Sequence, residues 1–204
     1  MHSMEEKPFG PTIVGMKMPE DMIDELNADC EFVTRPENFH RFDYSKELIG
    51  QIKLQARMNE LRLSPDIMPW FIEQAQNYIT KHFNANISLD VQDAWYNRTM
   101  DHTEYNPHHV HPTSLITSVG YLKLPDNFKE VLTKPDHKNG ESGALSLFYG
   151  ELAPFITTQM NLIPSVGDFY IFPASVRHAV YPMPEELKGE RRSFSINFHT
   201  DFKQ

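Results

Sequence analysis

Hydrophobic side chains recur with a helical period over one stretch in the first half of the chain. Between residues 67 and 83 the apolar positions fall on one face of a helix: Ile67, Phe71, Ala75, Tyr78, Ile79 and Phe83. The preceding Ser64, Pro65 and Asp66 form a typical helix start. The pattern predicts a helix over residues 65–83, although Pro69 is able to move its first turn a few residues later.

The elements before this helix are shorter. Residues 12–16 are partly β-branched and predict a first strand. Pro19 and the acids after it predict a short helix that ends near Asn27. Residues 35–43 are polar and predict a loop, and residues 44–53 fit a helix or a turn equally well.

From residue 87 onwards the period shortens to that of β-strands. Short segments rich in β-forming residues are separated by Pro, Gly, Asn and Asp, at 88–97, 115–124, 144–149, 156–160, 168–172, 179–181 and 193–199. Strands at this spacing, without helices between them, predict an antiparallel sandwich or barrel. We therefore expect a mainly β (α+β) protein, a single domain over 1–204. Its helical N-terminal portion would span 1–86 and its β-core 87–204, and the charged residues 129–142 would form a flexible connection or lid.

Composition narrows the function. The 204 residues carry a net charge of −9 and a pI near 5.5, which disfavours a protein that binds nucleic acid through its phosphates. One cysteine, Cys30, excludes an internal disulfide and suits a reducing compartment. Residues 1–8 have no apolar segment, and no apolar run reaches the ~20 residues that span a bilayer. These features predict a cytoplasmic protein without membrane partners.

Three histidines are candidates for a metal site. His109 and His111 are two residues apart, so in an extended strand they point to the same side, while His108 points away. His178 follows a predicted strand and could complete a set of three ligands. Three ligands with open positions favour a catalytic metal over a structural one. A His-x-His pair alone is more often an incidental surface feature, so this hypothesis depends on its context.

The last predicted strand provides that context. Arg191, Ser193 and Ser195 alternate along it and would share one face. A buried arginine binds a carboxylate through two hydrogen bonds, and a serine two residues later adds a third. The strand is therefore a candidate binding element for an anionic ligand.

Further residues complete a recognisable set of motifs. They are Trp95-x-Asn97, Asn106-x-x-His109-x-His111-Pro112-x-Ser114, Gly167-Asp168-x-x-x-Phe172-Pro173, His178 and Arg191-x-Ser193. In combination the chain resembles the Fe(II)- and 2-oxoglutarate-dependent oxygenases. Within them it is most similar to the prolyl-4-hydroxylase-like group found in bacteria and in phages of marine cyanobacteria. The resemblance covers residues 44–198.

The resemblance implies a double-stranded β-helix (a jelly-roll, or cupin-like, fold) with N-terminal helices packed on one sheet. It also implies a hydroxylase that uses Fe(II), 2-oxoglutarate and O₂, and a location in the host cytoplasm if the protein is viral. His109 and His178 match the two histidine ligands of the family. His111 falls where most members have an aspartate, which makes it the least usual residue of the catalytic set.

Four other residues receive roles from the same resemblance. Arg191 with Ser193 matches the residues that bind the distal carboxylate of 2-oxoglutarate. Tyr121 is similar to tyrosines that assist this contact. Asn97, together with Trp95, would face the pocket or its wall.

Two other functions remain open at this point. A cupin-type metal dioxygenase would keep the three histidines but would not use 2-oxoglutarate. A non-enzymatic jelly-roll binding module would carry them as surface residues. The sequence does not name the substrate, a small molecule or a peptide, and a prolyl side chain is suggested by family analogy alone. We expect substrate contacts from residues 99–105 and 129–142. The oligomeric state, a homodimer included, is not readable from the sequence.

Overall fold

Ten strands form two antiparallel sheets, and the helices precede most of them in the chain. The structure is a computed structural model that describes residues 10–134 and 141–200. The strands are β1 (Val14–Lys17), β2 (Leu54–Arg57), β3 (Asp90–Thr99), β4 (Asn106–His109), β5 (Ile116–Lys123), β6 (Leu145–Phe148), β7 (Gln159–Leu162), β8 (Asp168–Pro173), β9 (Arg177–Val180) and β10 (Arg191–His199). The helices are α1 (Glu20–Val33), α2 (Pro36–Phe42), α3 (Ile67–Phe83) and α4 (Phe128–Leu132), with a 3₁₀ turn at Glu60–Arg62.

The two sheets form the jelly-roll that the sequence predicts. The larger sheet has the order β1-β8-β5-β10-β3-β2, and the smaller has the order β4-β9-β6-β7. All strand pairs are antiparallel. The prediction of a mainly β protein with N-terminal helices on one sheet is therefore confirmed. The helical N-terminal portion also supplies two strands, β1 and β2, one at each edge of the larger sheet. The division at residue 86 stays a prediction.

The hydrophobic interior has two main layers, one on each face of the larger sheet. On the outer face, residues of α1 and α3 join the core of the sheet, and the ring of Phe71 on α3 lies 5.1 Å from Phe169 and 5.3 Å from Phe194. Between the two sheets a second cluster joins Val119 and Phe172 to residues of the smaller sheet. Burial of these aromatic side chains is the main driving force that holds helices and sheet together.

Helix α3 confirms the strongest helical pattern of the sequence. It begins at Ile67 rather than at Pro65, and Asp66 occupies the position before it. Pro69 falls in the first turn, where backbone N–H groups have no partner within the helix, so its missing donor costs nothing.

Two predictions for the N-terminal region are wrong. Helix α1 continues past Asn27 to Val33, because Cys30 and Val33 extend its buried face. Its polar residues have tertiary partners: the Oδ2 of buried Asp29 accepts hydrogen bonds from the Tyr96 hydroxyl and the Asn59 N–H, both at 3.0 Å. The hydrophobic pattern predicts the end of the helix at such polar residues, because the pattern carries no information on their distant hydrogen-bond partners.

The predicted loop at 35–43 is instead helix α2. Pro36 occupies its first position, and Phe39 and Phe42, three residues apart, pack against the core. Residues 44–53 contain turns and bends with an isolated bridge at Gln51, and strand β2 follows them. Of the predicted lid at 129–142, residues 135–140 lie outside the described residues, and the segment before them includes most of α4. Within the described ranges, no helix is long and apolar enough to cross a membrane.

A buried ion-pair network fixes β10 to its neighbours. The carboxylate of Glu190 accepts two hydrogen bonds from Arg98 on β3, at 2.6 and 3.1 Å, and two from Arg192 on β10, at 2.8 and 3.0 Å. Arg192 also donates to the side-chain oxygen of Asn27 on α1 at 2.8 Å. One carboxylate therefore joins two strands of the sheet and, through Arg192, the first helix.

We expect replacement of Glu190 by Gln to destabilise the protein by roughly 3 kcal/mol, because it removes the carboxylate that Arg98 and the buried Arg192 share and leaves Arg192 only the more distant Glu31, at 3.4 Å. Burial alone would raise the pKa of Glu190, but the hydrogen bonds from Arg192 and Arg98 outweigh burial and lower it from 4.5 to about 2. The stabilising contribution of Glu190 is thus complete above pH 4.5 and is lost as the pH falls toward 2. Chemical unfolding of the wild type and of E190Q between pH 7 and pH 3 measures both effects.

Glu186 provides a matched control, because its carboxylate is largely exposed and lies 3.8 Å from Lys134. E186Q should keep the wild-type unfolding free energy. Equal stability of E190Q and E186Q at pH 7 would contradict the role of the network.

Candidate metal centre and co-substrate pocket

Three histidines converge where the two sheets face each other. His109 is the last residue of β4 and is paired directly with His178 on β9. His111 lies beyond the end of β4, where its N–H donates at 3.0 Å to the carbonyl of Ala174, in the turn between β8 and β9. The ring centroids of His109 and His178 are 4.1 Å apart, and that of His111 lies 5.0 and 5.1 Å from them.

Alternation along the chain separates these rings from that of His108. The His108 side chain lies on the exposed side, where its Nε2 is 2.8 Å from the Tyr181 hydroxyl and its ring is 4.4 Å from that of Phe148. His108 is therefore outside the cluster, as the period of two predicts.

Two of the three rings have their tautomer fixed by the backbone. The Nδ1–H of His109 donates to the Pro107 carbonyl at 2.8 Å, and that of His178 donates to the Val176 carbonyl at 2.9 Å. In each ring the Nε2 lone pair is then free to bind a metal. One nitrogen from each of the three histidines lies within 4.8 Å of the others. The donor set therefore fits a single divalent ion.

Burial keeps the three imidazoles neutral, as metal ligation requires. Desolvation lowers the pKa of His109 below its usual value, and it lowers that of His178 further, with a contribution from the neighbouring histidines. Desolvation and the proximity of His109 lower the pKa of His111 to about 4. Neutral nitrogen donors are ligands that iron, zinc, copper and nickel all accept.

A cavity of about 230 Å³ connects the histidines with the other predicted site residues except Tyr121, which lies behind Arg191. Its lining includes Trp95 and Asn97 on β3, with Arg191 and Ser193 on β10. Asn97 accepts a hydrogen bond from Gln55 at 2.7 Å, and the Trp95 ring lies 6.0 Å from that of His111. The structure thus brings residues from eight strands, β2, β3, β4, β5, β6, β8, β9 and β10, to one cavity.

Arg191 is the most unusual group in this cavity. Its side chain is about 1% exposed, yet within the described ranges it forms no ion pair. Its Nη1 and Nη2 lie 3.4 Å from the Ser193 hydroxyl and 3.5 Å from the Tyr121 hydroxyl, and its Nε has no partner. An unpaired buried guanidinium is costly, so the geometry fits an anionic ligand that completes its hydrogen bonds.

The Tyr121 hydroxyl, also fully buried, is the second donor at this position. Burial raises its pKa, although the nearby Arg191 opposes this shift. The phenol therefore stays protonated at neutral pH and able to donate to a carboxylate.

Sequence reasoning missed four groups at or beside the cavity. Residues 47–50 line it, and so do Gln55 on β2 and Thr117 on β5. Asn197 on β10 contacts His111, and continuing the alternation of Arg191, Ser193 and Ser195 by two residues would have found it. Gln55 gave no signal, because its position depends on the pairing of β2 with β3. Among the described residues, the lining contains none of residues 99–105.

Comparison with known proteins identifies the family. The model of the family described as "Putative 2OG-Fe(II) oxygenase" matches residues 93–197, just over half of the chain. The chain belongs to this family. The resemblance found in the sequence is confirmed, and the protein is an enzyme of the 2-oxoglutarate-dependent non-haem iron oxygenases rather than a non-enzymatic module. No curated protein matches the chain by sequence.

Solved structures share the fold at low sequence identity. A Pseudomonas putida prolyl-4-hydroxylase is 15% identical with a TM-score of 0.57, over 92% of both chains. The 2-oxoglutarate complex of the viral collagen prolyl hydroxylase from Paramecium Bursaria Chlorella virus-1 is 14% identical with a TM-score of 0.58, over 91% of this chain and 94% of that one. HygX from Streptomyces hygroscopicus, with nickel, 2-oxoglutarate and hygromycin B bound, is 9% identical with a TM-score of 0.56, over 93% and 83%.

We expect His178→Ala to weaken binding of Fe(II) or Co(II) by more than about 100-fold, because loss of a ligand costs more than the 10–100-fold typical of its supporting contacts. His108→Ala is the matched control, since His108 is adjacent to the cluster in sequence but faces away from it. Anaerobic calorimetric titration of both variants measures the difference. Equal weakening by the two substitutions would contradict the proposed ligand set.

Proposed function

We propose that this enzyme couples the oxidative decarboxylation of 2-oxoglutarate to the hydroxylation of an organic substrate. In the balanced reaction, 2-oxoglutarate, O₂ and a C–H bond of the substrate give succinate, CO₂ and a hydroxylated product. The observation that carries the proposal is the buried Arg191, unpaired among the described residues, in the same cavity as three neutral histidines.

His109, His111 and His178 would hold Fe(II) through their Nε2 atoms. When bound, the iron supplies the oxygen activation and the oxidising power that protein side chains lack. The chain's own contribution is to orient the reactants and to exclude water. The backbone carbonyls of Pro107 and Val176 hold two of the ligand rings in place for this purpose.

Arg191, Ser193 and Tyr121 would hold the distal carboxylate of 2-oxoglutarate. The two guanidinium N–H groups and the phenol face the same region at the buried end of β10. Such charge-assisted hydrogen bonds select a dicarboxylate over a monocarboxylate, because a co-substrate without the second carboxylate leaves the arginine unpaired. Asn97 is placed to contact the co-substrate or the substrate from β3.

The substrate is proposed at the level of class only, as a small molecule or a peptide. Structures with this fold include two prolyl hydroxylases and a protein with bound hygromycin B. The exposed side chain of Ile49 and the half-exposed Val110 border the cavity, so they are proposed to contact the substrate. The acidic charge gives no reason to include nucleic acid.

Turnover of the co-substrate tests the proposal directly. With Fe(II) and O₂, the purified protein should convert 2-oxoglutarate to succinate, measured by NMR, and faster in the presence of an accepted substrate. Arg191→Ala should raise the 2-oxoglutarate concentration needed for half-saturation by roughly 100-fold, since each bond to a charged group contributes about 1.5–3 kcal/mol.

Arg177→Ala is the control for this substitution, because Arg177 on β9 is exposed to solvent. Normal 2-oxoglutarate affinity in R191A would remove the assigned role of Arg191. Metal binding without any succinate formation would instead favour the cupin-type dioxygenase that does not use 2-oxoglutarate.

The unusual ligand His111 has a test of its own. His111→Asp should keep one metal ion per chain, because a carboxylate oxygen is the other common ligand of Fe(II) in such sites. His111→Ala should lose most of the affinity. Metal content after dialysis measures both variants, and an H111A protein that binds metal as tightly as the wild type would exclude His111 as a ligand.

A further inference from the structure

His111 lacks the backbone contact that fixes the other two rings. The Nδ1 of His109 and that of His178 each face a carbonyl two residues earlier in the chain. The Nδ1 of His111 instead lies 3.2 Å from the side-chain amide of Asn197. Its Nε2 lies 3.3 Å from the Nε2 of His178. The tautomer of His111 therefore depends on a side chain rather than on the backbone.

Asn197 is held in a buried position by β10 and by a second hydrogen bond. Its amide lies 2.7 Å from the hydroxyl of Thr117 on β5, and both residues are buried. The pairing of β10 with β3 is irregular immediately after Asn197. Such irregularities re-aim side chains next to functional sites. Asn197 thus has two polar contacts, one to the sheet and one to the candidate metal centre.

The orientation of this amide decides whether His111 can bind a metal. If the Asn197 Nδ2 faces His111, it donates to the Nδ1 lone pair, and the ring proton must sit on Nε2, which then has no lone pair for a metal. If Oδ1 faces His111, it accepts the Nδ1–H, and Nε2 is free. The structure places Nδ2 toward His111 and Oδ1 toward the Thr117 hydroxyl. A rotation of the amide by 180° exchanges the two atoms and keeps both distances, because the Thr117 hydroxyl is both a donor and an acceptor.

We propose that Asn197, with its side-chain amide rotated by 180° relative to the structure, is the positioning residue of the third ligand: its Oδ1 accepts the Nδ1–H of His111 and thereby directs the Nε2 lone pair of His111 to the metal. This inference rests on the proposed function. It adds the residue that orients His111, the ligand that stands where most members of the family have a carboxylate. A histidine ligand almost always donates its second N–H to such a partner. On β10, one face would then bind the co-substrate through Arg191 and Ser193 and support the metal ligand through Asn197.

The experiment compares three single variants of the full chain by Co(II) titration. Asn197→Leu removes the acceptor at nearly constant volume and should weaken metal binding by about 10–100-fold. Asn197→Asp keeps an acceptor toward His111 and a second one toward the Thr117 hydroxyl, so it should bind metal at least as tightly as the wild type. Asn38→Leu is the matched control. Asn38 lies on α2, remote from the site, and donates to the Phe32 carbonyl at 2.9 Å. Its replacement should leave the metal affinity unchanged.

A second measurement determines which ring nitrogen of His111 carries the proton. In Zn(II)-loaded wild-type protein labelled with ¹⁵N-histidine, long-range ¹H–¹⁵N correlation should place the His111 proton on Nδ1. His111→Asp identifies the signal by its disappearance. If Asn197→Leu does not fold, this measurement and the Asn197→Asp titration decide the question.

The outcomes separate this inference from the proposed function. A folded N197L protein with wild-type Co(II) affinity, or a His111 proton found on Nε2 in the loaded protein, would overturn the role of Asn197 alone. A wild-type protein that binds no metal would overturn the proposed function together with it. Weak metal binding by N197L together with wild-type or tighter binding by N197D would support the inference. If Asn197 had only a structural role, a buried aspartate in its place would not preserve metal affinity.

Discussion

The pairing of β10 on both of its edges is the constraint on which the site depends. β10 lies between β5 and β3 in the larger sheet, so neither its register nor its facing can change without breaking two ladders. The alternation of its side chains then separates two environments. Phe194, Ile196 and Phe198 enter the core beneath the helices, while Arg191 and Ser193 enter the cavity between the sheets.

The two adjacent arginines of this strand show how facing determines chemistry. Arg192 points to the helical side, where Glu190 neutralises it through two short hydrogen bonds. Arg191 points to the cavity, where it has hydroxyl neighbours and, within the described ranges, no carboxylate. The first completes the fold, and the second leaves a positive charge available for a ligand. Both arginines are fully buried, so the difference between them lies in their partners rather than in their exposure.

The metal centre depends on a second pairing, that of β4 with β9 in the smaller sheet. The direct partnership of His109 with His178 brings two ligands together across 69 residues of chain, and His111 joins them because its N–H bonds to Ala174 in the turn before β9. Rigid strands hold the ligands, and backbone carbonyls set the tautomers of His109 and His178, while the buried amide of Asn197 contacts the ring of His111. This support is what distinguishes a set of histidines from a prepared binding site.

The sequence by itself determined the period of each region, and with it the fold class, the α3 helix and the facing of His109, His111, Arg191 and Ser193. These follow from local geometry, because side chains two apart in a strand share a side. Only the tertiary structure decided the length of α1, where Asn27 and the buried Asp29 find partners on other elements, the presence of Gln55 at the site, and the contact of Asn197 with His111. Local periodicity carries no information on distant hydrogen-bond partners. The contacts that support the site therefore follow from the pairing of the strands and not from the sequence pattern.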